Sequence, residues 1–175
     1  DLLNESIAFQ EKIPIRNSYS YAVIVRGFLL LKMERYAEAE KDYLLYYNLA
    51  VKTNDKSFQR RGLGYLASFY ADIGNYDKAI NNYKKTIQLC KAENDIGIEI
   101  MAIEGLISVY TVTKKYKEAV ETYQEYVALL EQREKRNIKK QTNNLEAKYQ
   151  AQKKEKEISI LKTQNDLAEQ EKKNQ

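Results

Sequence analysis

The strongest constraint on what this chain can fold into is a repetition. The stretch Tyr76-Asp77-Lys78-Ala79-Ile80-Asn81-Asn82-Tyr83 has a counterpart forty residues earlier, Tyr36-Ala37-Glu38-Ala39-Glu40-Lys41-Asp42-Tyr43. It has another forty residues later, Tyr116-Lys117-Glu118-Ala119-Val120-Glu121-Thr122-Tyr123. The shared pattern is Tyr-x2-Ala-x3-Tyr, three times in one register. The flanks repeat as well: Asn54-Asp55 matches Asn94-Asp95, and Leu30 matches Tyr70 and Tyr110. Self-similarity at a fixed period of this size marks a helical-repeat array, in which no unit buries its apolar face alone and each stacks on its neighbours.

Within the pattern the first Tyr, the Ala and the last Tyr stand at i, i+3 and i+7, which share one face of a helix. The expected packing residues are therefore Tyr36, Ala39 and Tyr43, then Tyr76, Ala79 and Tyr83, then Tyr116, Ala119 and Tyr123. The small Ala admits a neighbouring helix and the rings fill space on either side. A second helical pattern precedes each motif: Tyr21, Ile24, Val25, Phe28 and Leu31; then Leu63, Leu66, Ala67, Tyr70 and Ile73; then Ile103, Leu106, Ile107, Tyr110 and Val112. Each unit reads as helix A, a tight turn and helix B. The turns fall at Met33-Glu34-Arg35, Ile73-Gly74-Asn75 and Thr113-Lys114-Lys115, with Gly74 a natural left-handed stop.

These residues resemble the tetratricopeptide repeat, over residues 18–130. The second unit fits best, with Leu66, Ala67, Tyr70, Gly74, Tyr76, Ala79 and Tyr83 at the family's positions. The chain departs from the family in having no Trp to open helix A and no Pro after helix B within the array. Its period is also longer than the usual figure of about 34, which longer helices explain. The resemblance implies an all-α fold, a right-handed superhelical solenoid of about three and a half helix-turn-helix repeats. Residues 1–130 form the array, with repeats at 18–53, 57–93 and 96–130 and a remnant of an earlier repeat at 1–14. Residues 131–175 form a helical linker. The fifteen tyrosines read as packing residues rather than as a ligand cage.

Members of that family bind partners in a concave groove lined by the A helices. Matched onto this chain, the groove pattern falls on Tyr21, Ile24, Phe28 and Leu31, on Arg61, Ser68 and Asp72, and on Glu104, Ser108 and Thr111. The candidate partner-binding residues are Tyr21, Phe28, Arg61, Ser68, Asp72, Glu104, Ser108 and Thr111. The branch that clamps a peptide carboxylate uses Lys, Asn and Arg at such places. Only Arg61 is of that type, with Gly64 and Ser68 where the clamp continues, so that mode is not supported. The apolar first unit reads as an interface with an upstream repeat in preference to groove.

Along the chain, residues 1–13 look like the second half of a B helix, with Ile7, Ala8 and Phe9 on its buried side. Pro14 ends that helix, and Asn17-Ser18 can cap the next. The chain opens in the middle of a helical pattern and reads as a piece of something longer. At the far end, the position matching Asn54-Asp55 and Asn94-Asp95 is Glu134-Lys135, which carries no turn signal. From Tyr116 to Lys172 there is neither Gly nor Pro. The third B helix is expected to run straight on, for about 85 Å at 1.5 Å per residue.

Composition shifts at the same place. Residues 1–130 balance 17 basic against 17 acidic side chains, whereas residues 131–175 carry 12 against 8, so the net charge of +4 lies in the tail. Only ten of those 45 residues are apolar. A helix so polar needs a partner or it frays. A thin seam is present in Ala151, Ile158, Leu161, Asn165 and Ala168, spaced like a and d positions, and Asn165 at an a position can fix a parallel dimer register. Ile138 and Leu145 stand a heptad apart but out of phase with that seam. A dimeric coiled coil is the first reading; a single solvated helix and disorder are the alternatives.

Other chemistries lack their residues. Histidine is absent, which removes the commonest general base and metal ligand. The single cysteine, Cys90, cannot form an intrachain disulfide or a metal cluster and reads as a buried small residue. Carboxylate pairs such as Glu38 and Asp42 read as exposed faces. There is no phosphate-cradling Gly loop and no nucleophile elbow, and neither a metal nor another cofactor is expected. Lys153-Lys154-Glu155-Lys156-Glu157 alternates its charges as a solvated face does, and Tyr149 is the tail's one aromatic, so nucleic-acid binding by this segment is not expected. No run approaches 18 apolar residues.

The tail carries a second resemblance. Asn144-Leu145-Glu146-Ala147-Lys148-Tyr149-Gln150, Lys153-Lys154-Glu155-Lys156-Glu157-Ile158, Leu161-Lys162 and Asn165-Asp166-Leu167 look like the linker after the repeats in bacterial membrane-bound sensors. In those proteins extracytoplasmic (periplasmic) repeats are followed by such a helix, a membrane span and a cytoplasmic output: a histidine kinase of a two-component system, a helix-turn-helix regulator or a diguanylate cyclase. The resemblance implies a non-enzymatic sensor module for a protein or peptide cue, a homodimer through the C-terminal helix, and an adjacent span. A soluble cytoplasmic scaffold tethered by its coiled coil is the rival reading, and a cytoplasmic transcription regulator is a third.

Overall fold

A computed structural model describes residues 16–173. The expected remnant at 1–14, with Pro14, lies outside the described residues. Six helices follow one another: α1 (Arg16–Lys32), α2 (Tyr36–Lys52), α3 (Lys56–Asp72), α4 (Tyr76–Glu93), α5 (Ile96–Val112) and α6 (Tyr116–Lys173). The described residues contain no strand. The helix starts carry the sequence period, at 56 and 96 for α3 and α5 and at 36, 76 and 116 for the even helices.

The connections explain why the period is so regular. Glu34, Asn54, Gly74, Asn94 and Lys114, spaced twenty apart, all take positive φ, from 52° at Asn54 to 77° at Gly74. In each case that residue's N–H donates to the carbonyl three residues back, as from Gly74 to Ala71. The next N–H donates to the carbonyl five back: Arg35 to Leu30, Asp55 to Ala50, Asn75 to Tyr70, Asp95 to Cys90 and Lys115 to Tyr110. This double bond pattern satisfies the orphan carbonyls of a helix end. Arg35, Asp55, Asn75 and Asp95 are at once the second residue of such a stop and the N-cap of the next helix. Asp55, Asn75 and Asp95 complete the cap by accepting from the N–H groups of Phe58, Lys78 and Ile98. At the sixth place the chain has Glu134-Lys135 in mid-helix, and α6 continues for 58 residues in all.

Consecutive helices from α1 to α5 pack on one another, and α3 also touches α5. The core runs through Leu30, Ala39, Tyr43, Leu66, Ala67, Phe69, Ala79, Tyr83, Ile103 and Leu106, and Ala119, Tyr126 and Leu129 of α6 pack against it. Ala39 and Ala79 are fully buried. The last tyrosine of the motif differs between units: Tyr43 is 5% exposed, Tyr83 6% and Tyr123 55%. Tyr43 lies against Phe69 of α3, with ring centroids 5.2 Å apart. Tyr83 lies against Gly105 of α5, where an added Cβ would stand 2.3 Å from the ring. The corresponding face of α6 has no described helix on it, so Tyr116 and Tyr123 depart from their expected packing. Tyr36, the first residue of α2, is also exposed.

Three further expectations are corrected. Asn17 and Ser18 are themselves helical, so neither caps α1. Its buried side is Val23, Gly27, Leu30 and Leu31, while Tyr21 and Phe28 are exposed and Ile24 and Val25 half-buried. The apolar run from Ile24 to Leu31 has no helical period of its own, and packing chose the phase. Asp42 is buried, because Arg26 grips it with Nε at 2.7 Å and Nη2 at 2.5 Å. That bidentate pair is what allows a charge inside the apolar run of α1.

Chain contacts divide the molecule into Asp1–Leu130 and Glu131–Gln175. The second unit is helical through Lys173, and its described side chains, Ala151, Ile158 and Leu161 among them, are exposed. The side chains of Asn165 and Ala168 lie outside those described.

Candidate functional site

The odd helices are buried on one side and present the other to solvent. On that open side the repeat places equivalent positions in rows: Tyr21, Arg61 and Met101; Phe28, Ser68 and Ser108; Lys32, Asp72 and Val112. All nine are exposed. Each of the expected groove residues Tyr21, Phe28, Arg61, Ser68, Asp72, Glu104, Ser108 and Thr111 is exposed on these helices. Leu31, expected among them, is buried instead.

Aromatic rings support the open side from beneath. Tyr46 of α2 meets Tyr65 of α3 edge-on at 5.6 Å and Phe58 at 5.6 Å. The Arg61 guanidinium lies 5.8 Å over Phe58, and the Lys32 ammonium 5.3 Å over Phe28, so both cations are steered by rings. Tyr83 has its pKa raised, first by burial and then by the charge of Asp72, with a Ser68 hydrogen bond opposing. Tyr43 is pushed up to about 12 by burial, with Asp72 and Asp42 adding. Ser68 and Asp72 therefore sit close to phenol groups held neutral at physiological pH.

Glu104 is fixed from another element. The Tyr126 hydroxyl of α6 donates to Glu104 Oε1 at 2.7 Å. One residue of the open face is thus tied directly to the long helix. Sequence reasoning passed over Tyr65, Met101 and Tyr126, although the forty-residue register points to the first two as partners of Val25 and Tyr21.

Cys90 is fully buried, and burial first, with Asp95 adding, pushes its thiol up to about 12. Glu99 is buried on α5 and raised by desolvation, with Lys91 opposing. Among the described residues no three of Asp, Glu and Cys converge as metal ligands, and no helix is long and apolar enough to cross a membrane. The face presents exposed rings, two steered cations, two carboxylates and small hydroxyls. Compared with protein-family models and with curated proteins, the chain gives no match.

Proposed function

We propose that residues 16–130 are a tetratricopeptide-type solenoid that binds a protein or peptide cue on its A-helix face. Residues 131–175 would relay that binding as a parallel coiled coil, in the manner of the sensor portion of a bacterial membrane-anchored signalling protein. In this reading the segment is non-catalytic, the array lies outside the cytoplasm, and a membrane span and output domain, such as a histidine kinase, adjoin it. The observation that carries the reading is the build of α6. Its first turns pack in the repeat core through Ala119, Tyr126 and Leu129, Tyr126 holds Glu104 on the open face, and the same helix continues to Lys173. A ligand that changes the packing around α6 then biases one continuous element, which is how two-state relays work.

Two measurements test this. The reading frame beyond Gln175 should encode a span of about 20 apolar residues; a prompt stop codon would instead favour a soluble scaffold oligomerised by its tail. In a Cys90→Ala background, Ile158→Cys should form a disulfide-linked dimer readily and Lys156→Cys, on the far side of the heptad, should not. Equal cross-linking at both positions would count against the seam.

A further inference from the structure

A second recognition site is written into the even helices, apart from the open face of the odd ones. Between α4 and α6, over α5, lies a cleft of about 480 Å³. Lys84 and Lys91 stand on its α4 wall, Glu118, Glu121 and Glu125 on its α6 wall, and Tyr110 in its floor. The repeat supplies an internal control one unit earlier. There the equivalent tyrosine, Tyr70, donates its hydroxyl to Glu40 Oε1 at 2.6 Å. The Lys78 ammonium lies 4.7 Å over the Tyr70 ring and 3.5 Å from the same carboxylate. That place is filled by the protein's own ion pair.

In the second cleft both partners are exchanged. Ile80 stands forty residues after Glu40, and Glu118 forty after Lys78. Tyr110 is only 5% exposed, yet among the described residues its hydroxyl makes no hydrogen bond and no cation lies over its ring. That hydroxyl is not sealed from solvent, so a ligand in the cleft can reach it and supply the hydrogen bond it lacks. Lys91 is paired with Glu125 at 3.2 Å, whereas Glu118 and Glu121 make no ion pair among the described residues.

We infer that this cleft takes a primary alkylammonium group, in the form of a lysine side chain. The cation would lie over the Tyr110 ring against Glu118 and Glu121, in the place that Lys78 fills at Tyr70. Ring face and carboxylate together favour a cation that either alone would hold weakly. The site rests on the contrast between the two clefts and not on the groove reading, so it stands or falls separately.

The test titrates the folded chain at low salt with acetylated tetralysine amide and, separately, with 1,5-diaminopentane, following the ligand's ε-methylene protons by NMR. Saturable upfield movement of those protons, the mark of stacking on a ring, is the expected result. Movement with both probes means that any alkylammonium is accepted; movement with tetralysine alone means that the lysine must come from a peptide. The double variant Ile80→Glu/Glu118→Lys rebuilds the ion pair of the first cleft and should weaken tetralysine about fivefold or more, with helical circular dichroism confirming that the half-buried position 80 keeps its fold. Glu121→Gln, at an exposed position, should weaken it about twofold. No saturation with either probe overturns the proposal. So does undiminished binding to the double variant, which would show only a diffuse acidic surface.

Discussion

Two glycines in equivalent secondary structure have opposite meanings. Gly105 faces the Tyr83 ring so closely that a methyl group would stand 2.3 Å from it, and that ring belongs to the buried core. Gly105→Ala should cost about 1–3 kcal/mol through overpacking, after allowance for the better helix propensity of Ala. Gly64, on α3, has no atom within 4 Å of a built Cβ. Gly64→Ala should therefore stabilise by about 0.4–1 kcal/mol. Urea unfolding of the two variants checks both signs, and a shared sign would contradict the packing described. The motif alanines follow the same logic: Ala39 and Ala79 are small because a helix lies on them.

At the scale of the helix, each connection does two jobs with two adjacent residues, and the value of a cap depends on what else it touches. Asp55 caps α3 by accepting from the Phe58 N–H at 3.1 Å. Asp95 caps α5 likewise and also accepts from Arg60 Nε at 3.3 Å and Nη2 at 3.1 Å. Arg60 is 7% exposed, and its Nη1 is already buried without a hydrogen-bond partner among the described residues. Asp55→Ala should cost about 1 kcal/mol, the usual worth of a cap. Asp95→Ala should cost about 3–5 kcal/mol, because it leaves a buried guanidinium uncompensated. Thermal melts of the two variants test the difference; equal losses would mean that the Arg60–Asp95 pair contributes nothing beyond the cap.

For the whole molecule, the tyrosines that fill the array also set its alkaline limit. Tyr43, Tyr46 and Tyr70 are each pushed up to about 12, with burial the first cause in all three. Glu40 adds at Tyr70 through its hydrogen bond and charge, and Cys90 is raised from 9.0 to about 12. A group whose folded pKa lies above its unfolded value contributes stability that is complete below the unfolded value and is lost as pH rises toward the folded one. The array should therefore hold its stability up to pH 9 and lose it progressively between about 9 and 12. Ultraviolet absorbance of tyrosinate, followed together with helical circular dichroism, tests this. The buried rings should ionise only together with the loss of helical circular dichroism, and smooth titration of every ring without unfolding would contradict their burial.

The sequence by itself determined the period, the turns and the long helix. Those features are local: a left-handed residue, a capping side chain and an absence of Gly and Pro act on the chain within a few residues. It was enough to place breaks at Glu34, Gly74 and Lys114 and to find none at Glu134. The exposed positions Arg61, Ser68 and Glu104 were legible because the register of the repeat fixes which face each residue shares. Only the tertiary structure decided what depends on a neighbour. The phase of α1 was hidden because a run that is apolar all round has no preferred face until another helix takes one. Asp42 read as exposed because its partner Arg26 lies on a different helix. Tyr43, Tyr83 and Tyr123 are the same residue in the same motif, and two are buried while the third is open. Burial belongs to the contact between elements, and the helix that covers a ring is written elsewhere in the chain.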